Sequence, residues 1–231
     1  MTSGSFVLGA TGFVGREVVR QLCVRGAPVV AHVRPDSKKL DDWRRTFAEQ
    51  GATVDATPWD AAQLAARWRA LAPSAIYILI GTTRGKAKAD NVAGDTYEQV
   101  DFGLTKLAVD AARASEQKPR LVYLSSIGAD SGARSAYLRA RAKAEAAVTT
   151  SGLPYVIARP SFITGDRDES RLGERSAALV GDGLLAVARV LGGKHLRERY
   201  RSTTPDVLAS ALIRLAEAPE HDVIADGSQL R

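Results

Sequence analysis

Three glycines at a regular spacing, Gly9, Gly12 and Gly15, lie between a short apolar run, Phe6-Val7-Leu8, and a helical stretch over 13–25. In that setting each glycine has a physical task. One makes a tight turn, one lets the backbone approach a pyrophosphate, and one lets helix pack closely on strand. The first amides of the helix then face the phosphates. Gly9, Thr11, Gly12, Phe13, Val14 and Gly15 are therefore the candidate cradle for a dinucleotide. A glycine pattern alone is a common structural turn. Its place in the first strand-turn-helix unit of an alternating chain is what favours the dinucleotide.

The second chemical signal follows the next apolar run, Val29-Val-Ala-His-Val33, which leads straight into Arg34. A carboxylate at about this distance from the glycines grips the ribose hydroxyls of NAD. A guanidinium instead makes paired, charge-assisted bonds to the 2′-phosphate of NADP. Arg34 thus favours NADP(H) over NAD(H), with Asp36 as the competing NAD contact and a solvated loop arginine as the plain structural reading.

These residues need elements to hold them. Strand-like runs at 6–8, 29–33, 52–56, 75–80, 121–124 and 155–158 alternate with helical stretches at 13–25, 40–50, 60–71, 95–116 and 135–150. That alternation predicts an α/β class, a Rossmann-like doubly wound parallel sheet with a short C-terminal helical extension. Ala75-Ile-Tyr-Ile-Leu-Ile80 is apolar throughout, as a strand covered on both faces should be. After Pro160 the alternation weakens. A Gly-, Asp- and Arg-rich loop leads to a helix over 177–191, and Thr204-Pro205-Asp206 starts another, with a capping hydroxyl and an early proline. The expectation is one domain over 1–231, with about 165–231 forming a substrate-side lid.

The chain has 231 residues, enough for one large core, and carries a net charge of +6. Its basic residues are interspersed with acids and do not alternate with aromatics, so a nucleic-acid surface is not expected. No apolar run reaches the length of a membrane span. Cys23 is the only cysteine, which excludes an internal disulfide and fits a reducing compartment. With an N-terminus that reads as no signal peptide, the expectation is a cytoplasmic protein.

Three further stretches narrow the class: Leu124-Ser-Ser-Ile-Gly-Ala-Asp130 ahead of Tyr137-Leu-Arg-Ala-Arg141, Ile80-Gly-Thr-Thr-Arg-Gly-Lys-Ala87, and the run from Arg159 to Glu174. With the glycine turn these resemble the atypical short-chain dehydrogenase/reductases, and within them the Tat-interactive oxidoreductase-like, NmrA-like group. The resemblance implies that a strand-end serine, Ser126 or its neighbour Ser125, polarises a carbonyl while Tyr137 passes a proton. In such proteins a lysine one turn on favours the phenolate and holds the ribose, and here that position is Arg141, which keeps the positive charge. Residues four apart share a helix face, so Arg141 stands beside Tyr137 but cannot relay a proton. Lys143 points elsewhere, and Glu145, one turn past Arg141, is a candidate partner for it. By the same resemblance Ile80, Gly81, Ile163 and Arg171 line the cofactor, with Arg84, Lys86 and Arg167 adding charge.

Two functions follow as expectations. The first is an NADP(H)-dependent oxidoreductase acting on a small carbonyl or quinone-like substrate. The alternative is a catalytically weak NADP(H)-binding redox sensor acting through a protein partner, which the arginine at 141 motivates. A nucleotide-sugar epimerase ranks below both. Alanine-rich helices over 95–116 and 135–150 admit a homodimer but are also ordinary core.

Overall fold

The computed structural model describes residues 4–81, 97–130, 132–161, 163–164 and 202–231. Seven parallel strands form one sheet: β1 (Ser5–Leu8), β2 (Val29–His32), β3 (Thr53–Asp55), β4 (Ala75–Ile78), β5 (Arg120–Leu124), β6 (Tyr155–Arg159) and β7 (Val223–Asp226). Their spatial order is β3-β2-β1-β4-β5-β6-β7, so the chain reverses direction across the sheet between β1 and β4. This is the doubly wound Rossmann arrangement expected from the alternation.

The central strands β1 and β4 are buried at every position because both faces of the sheet are covered there. On one face α1 (Phe13–Val24), α2 (Leu40–Glu49) and α6 (Pro205–Glu217) bury Val18, Leu22, Phe47 and Leu212 against Val7, Ala31 and Val122. On the other, α3 (Ala61–Leu71), α4 (Leu104–Ala114) and α5 (Ala136–Thr149) bury Trp68, Ala108 and Val148 against Phe6, Ile76 and Tyr123. Caps define several ends. Asp60 accepts from the Gln63 amide at 2.8 Å and Ser135 from the Leu138 amide at 3.1 Å. Thr204 sits at the N-cap of α6 without a side-chain cap bond, contrary to the capping hydroxyl expected, and Pro205 supplies the preset first turn.

Two elements differ from the sequence reading. Residues 205–231 join the sheet and its helical layer, while the rest of the expected lid, 165–201, lies outside the described residues. α6 packs on α1, β7 pairs with β6 from Val156↔Val223 to Arg159↔Asp226, and a 3₁₀ turn (Gly227–Leu230) follows. Arg120 at the start of β5 ties this segment down by donating to the Ala216 and Ala218 carbonyls at 2.8 and 2.5 Å, at the negative end of α6. The strand was missed because Val223-Ile-Ala-Asp226 is only four residues long and follows a polar turn. The helix expected over 95–116 begins, among the described residues, as a π-helical turn (Tyr97–Gly103) before α4. The helix expected over 177–191 lies outside the described residues.

Candidate functional site

At the carboxyl end of β1 the glycine turn is built as its spacing suggested. The Gly12 amide donates to the Gly9 carbonyl at 2.9 Å, closing the turn, and α1 opens at Phe13. Gly9 has φ +77°, and a Cβ there would lie 2.5 Å from the Leu79 carbonyl oxygen. A Cβ on Gly15 would overlap the Gly9 carbonyl. Both positions therefore exclude side chains, and the turn presses against the end of β4. Thr11, Gly12 and Phe13 are half-buried while Val14 and Gly15 are covered, so the N-terminus of α1 keeps one open side. α1 has no acidic residue in its first turn to occupy its positive end.

β2 delivers Arg34 and Asp36 to the same edge. Both are exposed, with Arg34 Nε 3.9 Å from Asp36 Oδ1, so the NADP and NAD candidates stand on one turn. Just inside them His32 is buried, its Nε2 2.7 Å from the Thr57 carbonyl and its ring edge-on to Trp59. Burial pulls its pKa below the usual 6.5, against the Thr57 bond and the nearby Asp55 carboxylate. The unfolded chain then binds more protons than the folded one as pH drops below about 6.5, so the stabilisation present above that value is lost on acidification. Denaturant midpoints for the wild type should fall between about pH 7 and pH 5, and His32→Gln should show a flatter profile. Equal slopes would remove His32 as the cause. Asp55 titrates lower still. Burial alone would raise its pKa, but Thr57 and the Arg67 guanidinium at 2.5 Å outweigh that.

Around β4, β5 and α5 the structure separates residues that adjacency in sequence had left equivalent. Ser125 is buried, and its hydroxyl donates to the Glu145 carboxylate. Glu145 also accepts from Arg159 Nε at 2.9 Å, so it does not pair with Arg141 as expected from helical spacing. Ser126 is half-buried and its hydroxyl, among the described residues, makes only a 3.4 Å contact to the Ile127 carbonyl, which leaves it the more available serine. Tyr137 is half-buried in the first turn of α5. Its ring meets Tyr97 edge-on at 5.4 Å, and Arg141 stands 5.3 Å from its centroid.

Arg141 is the densest node of the site. Its side chain is 7% exposed and pairs with Asp101, itself 0% exposed, at 2.8 Å. It donates to the Leu124 carbonyl at 2.6 Å and to the Tyr123 hydroxyl at 3.2 Å. A Cβ on Gly81 would lie 2.5 Å from its terminal nitrogen, so the guanidinium rests against that backbone. Burial opposes its charge, but Tyr123, Tyr137 and Asp101 together hold it protonated. Burial also pushes the Tyr123 phenol up to about 12, with Arg141 pulling the other way. Such a buried guanidinium offers almost no surface to a ribose, unlike the role the resemblance implied. Lys143 faces away, 2.6 Å from Glu98, as its six-residue offset from Tyr137 suggested.

Asp101 escaped the sequence reading because one acid among several in a helical stretch reads as solvated. The signal is its spacing within a π-helical turn, which only the backbone shows. Ile80 is buried beside Gly81, and Ile163 forms a parallel bridge with Thr203 at the same edge. Arg84, Lys86, Arg167 and Arg171 lie outside the described residues.

A parallel sheet reversing direction beside a glycine turn, with serine, tyrosine and a buried cation at one edge, defines a nicotinamide-dinucleotide-binding α/β protein. The family model described as NAD(P)H-binding matches residues 9–189, and the chain belongs to that family. Among curated relatives, "Protein fmp52, mitochondrial" of Aspergillus fumigatus is 30% identical over 214 residues, covering 90% of this chain and 84% of the relative. The Candida albicans protein of the same name is 25% identical over 182 residues, covering 77% and 75%. These names bear on neither the Tat-interactive group nor any substrate. They do overturn the expectation of a cytoplasmic protein, since the relatives are named mitochondrial. A single cysteine reports a reducing milieu and cannot distinguish one reducing compartment from another.

Solved structures with the same fold include ChuY, an anaerobillin reductase from Escherichia coli O157:H7, with TM-score 0.63 and 20% identity, covering 96% of this chain and 95% of that one. A UDP-glucose 4-epimerase of Thermotoga maritima, solved with UDP-glucose, gives 0.66 and 17%, covering 96% and 75%. Reductases and epimerases thus share this scaffold, and the choice between them rests on the site.

Proposed function

We propose that this protein is an NADP(H)-dependent oxidoreductase that reduces a small carbonyl or quinone-like substrate. The observation carrying this reading is Tyr137, half-buried beside the Arg141 charge at the edge where the glycine turn opens. The turn fits a dinucleotide, because the positions where a Cβ would obstruct it are glycine. Arg34 would hold the 2′-phosphate. When bound, the reduced nicotinamide supplies the hydride.

The chain's own residues supply the rest. Ser126 donates a hydrogen bond to the substrate oxygen, and Tyr137 passes its phenolic proton to that oxygen as the hydride reaches carbon. The phenolate left behind faces the Arg141 guanidinium and is reprotonated from solvent. Loss of reduced-nicotinamide absorbance over a panel of small carbonyls and quinones tests the reading. NADPH binding with no turnover across the panel would overturn it.

Cofactor choice has its own test. Arg34→Ala should weaken NADPH binding about tenfold or more while leaving NADH affinity within about twofold, read by fluorescence titration. Unchanged NADPH affinity would remove Arg34. Wild-type preference for NADH would move the ribose contact to Asp36.

One observation favours a second reading, a redox-sensing NADP(H)-binding protein that acts through a partner. Arg141 is closed into a buried ion pair and cannot pass protons onward. Binding without turnover selects this reading. The mitochondrial names of the fungal relatives fit either.

A further inference from the structure

We infer that Asp101 is a positioning residue, whose buried carboxylate holds the Arg141 guanidinium against Tyr137 and the Gly81 backbone and so sets the proton donor relative to the glycine turn. This rests on the reading of Tyr137 as proton donor. The π-helical turn aims Asp101 inward, where it is 0% exposed, and its carbonyl accepts from Thr105 Oγ1 at 2.7 Å. π turns of this kind insert a residue into the helical register and concentrate at functional positions.

The same turn makes two ion pairs with α5. Glu98 meets Lys143 on the exposed side, and Asp101 meets Arg141 on the buried side. The exposed pair adds little. Buried pairs are dear to form and apolar residues of similar volume often replace them without loss of stability, so burial of this pair points to a role beyond stability. What it does uniquely is geometric. One planar guanidinium touches Asp101, the Tyr123 hydroxyl, the Leu124 carbonyl, Gly81 and the Tyr137 ring. Those groups belong to the π turn, β5, the end of β4 and α5. The π turn, β5 and the chain after β4 are thereby referenced to one side chain of α5, with Ser125-Ser126 directly after Leu124. Leu124 and Tyr123 hold one terminal nitrogen of the fork and Asp101 faces the other, so the carboxylate completes its orientation.

The test uses the full chain with its six tyrosines ring-labelled for NMR and the Tyr137 signal assigned by Tyr137→Phe. Asp101→Asn should displace the Tyr137 and Tyr123 signals. The same substitution in an Arg141→Met background should displace Tyr137 no further than Arg141→Met does alone. Asp110→Asn, which breaks an exposed pair with Lys106, should move neither. A Tyr137 signal in its wild-type place in folded Asp101→Asn overturns the inference, as does equal displacement with Arg141 absent. If Asp101→Asn does not fold, recovery of folded protein on adding Arg141→Met supports it, because the unpaired guanidinium was the fault. Failure of the double variant to fold overturns it.

Turnover separates this inference from the reading beneath it. A wild type without turnover sinks the proposed reaction and leaves the tyrosine signals to judge Asp101. In an active wild type, Asp101→Asn should lower kcat about 10- to 100-fold with NAD(P)H affinity unchanged. An unchanged kcat overturns the positioning role and leaves the reaction standing.

Discussion

Tyr137→Phe is expected to lower kcat by about two to four orders of magnitude while leaving the dissociation constant for NADPH within about twofold. The substitution removes one oxygen and little else. The ring contacts with Tyr97 at 5.4 Å and Arg141 at 5.3 Å involve carbon atoms that phenylalanine retains. The Tyr137 hydroxyl makes no hydrogen bond to the described residues, so its loss leaves no buried group unsatisfied and should change the unfolding temperature little. A fall in kcat and kcat/KM together is the signature of an interaction made in the transition state. Turnover equal to the wild type would mean that the proton comes from elsewhere. Parallel loss of NADPH affinity would mean that Tyr137 is a binding residue. Ser126→Ala gives a companion reading, since it should cut turnover where Ser125→Ala chiefly frees Glu145 and costs stability.

Gly9→Ala carries the second large effect, loss of NAD(P)H binding by about 100-fold or more together with a lower unfolding temperature. Two costs combine. Gly9 has φ +77°, a conformation that costs an L-residue about 1–2 kcal/mol. Its Cβ would also lie 2.5 Å from the Leu79 carbonyl oxygen, a backbone atom that cannot swing aside. Overpacking of this kind costs about 1–3 kcal/mol, and relieving it moves the turn away from β4. The phosphate cradle is the turn itself, so binding is lost with it. Gly26 supplies the control: φ is +71° there, but nothing lies within 4 Å of its Cβ position. Gly26→Ala should show the conformational cost alone and bind NADPH normally. Normal NADPH affinity in Gly9→Ala would remove the glycine turn as the cofactor site.

The architecture and the glycine turn were legible in the amino-acid sequence because both are local signals. Alternating apolar runs and amphipathic stretches dictate strands covered by helices, and parallel pairing follows from their strict alternation. Glycines at 9, 12 and 15 act through the backbone of one strand-turn-helix unit, so spacing alone locates them. The offset of Lys143 from Tyr137 was equally readable, because helical geometry sets it. Even so, β7 was hidden, since four residues after a polar turn carry too little pattern until β6 offers an unpaired edge.

Partnership between distant residues was decided only in three dimensions. Ser125 and Ser126 are neighbours of one type, yet alternation along the strand end sends one to Glu145 and leaves the other at the edge. Helical spacing suggested Glu145 for Arg141, a plausible pair on an isolated helix. Packing reassigned both, because Arg159 at the end of β6 reaches Glu145 and the π turn brings Asp101 to Arg141. A buried charge takes whichever partner the surrounding elements place within hydrogen-bond reach, at a cost set by desolvation and not by sequence distance. The sequence therefore determined a dinucleotide-binding sheet and the residue types at its rim. Tertiary packing determined which serine remains available, that Arg141 is closed against Asp101, and hence what surrounds Tyr137.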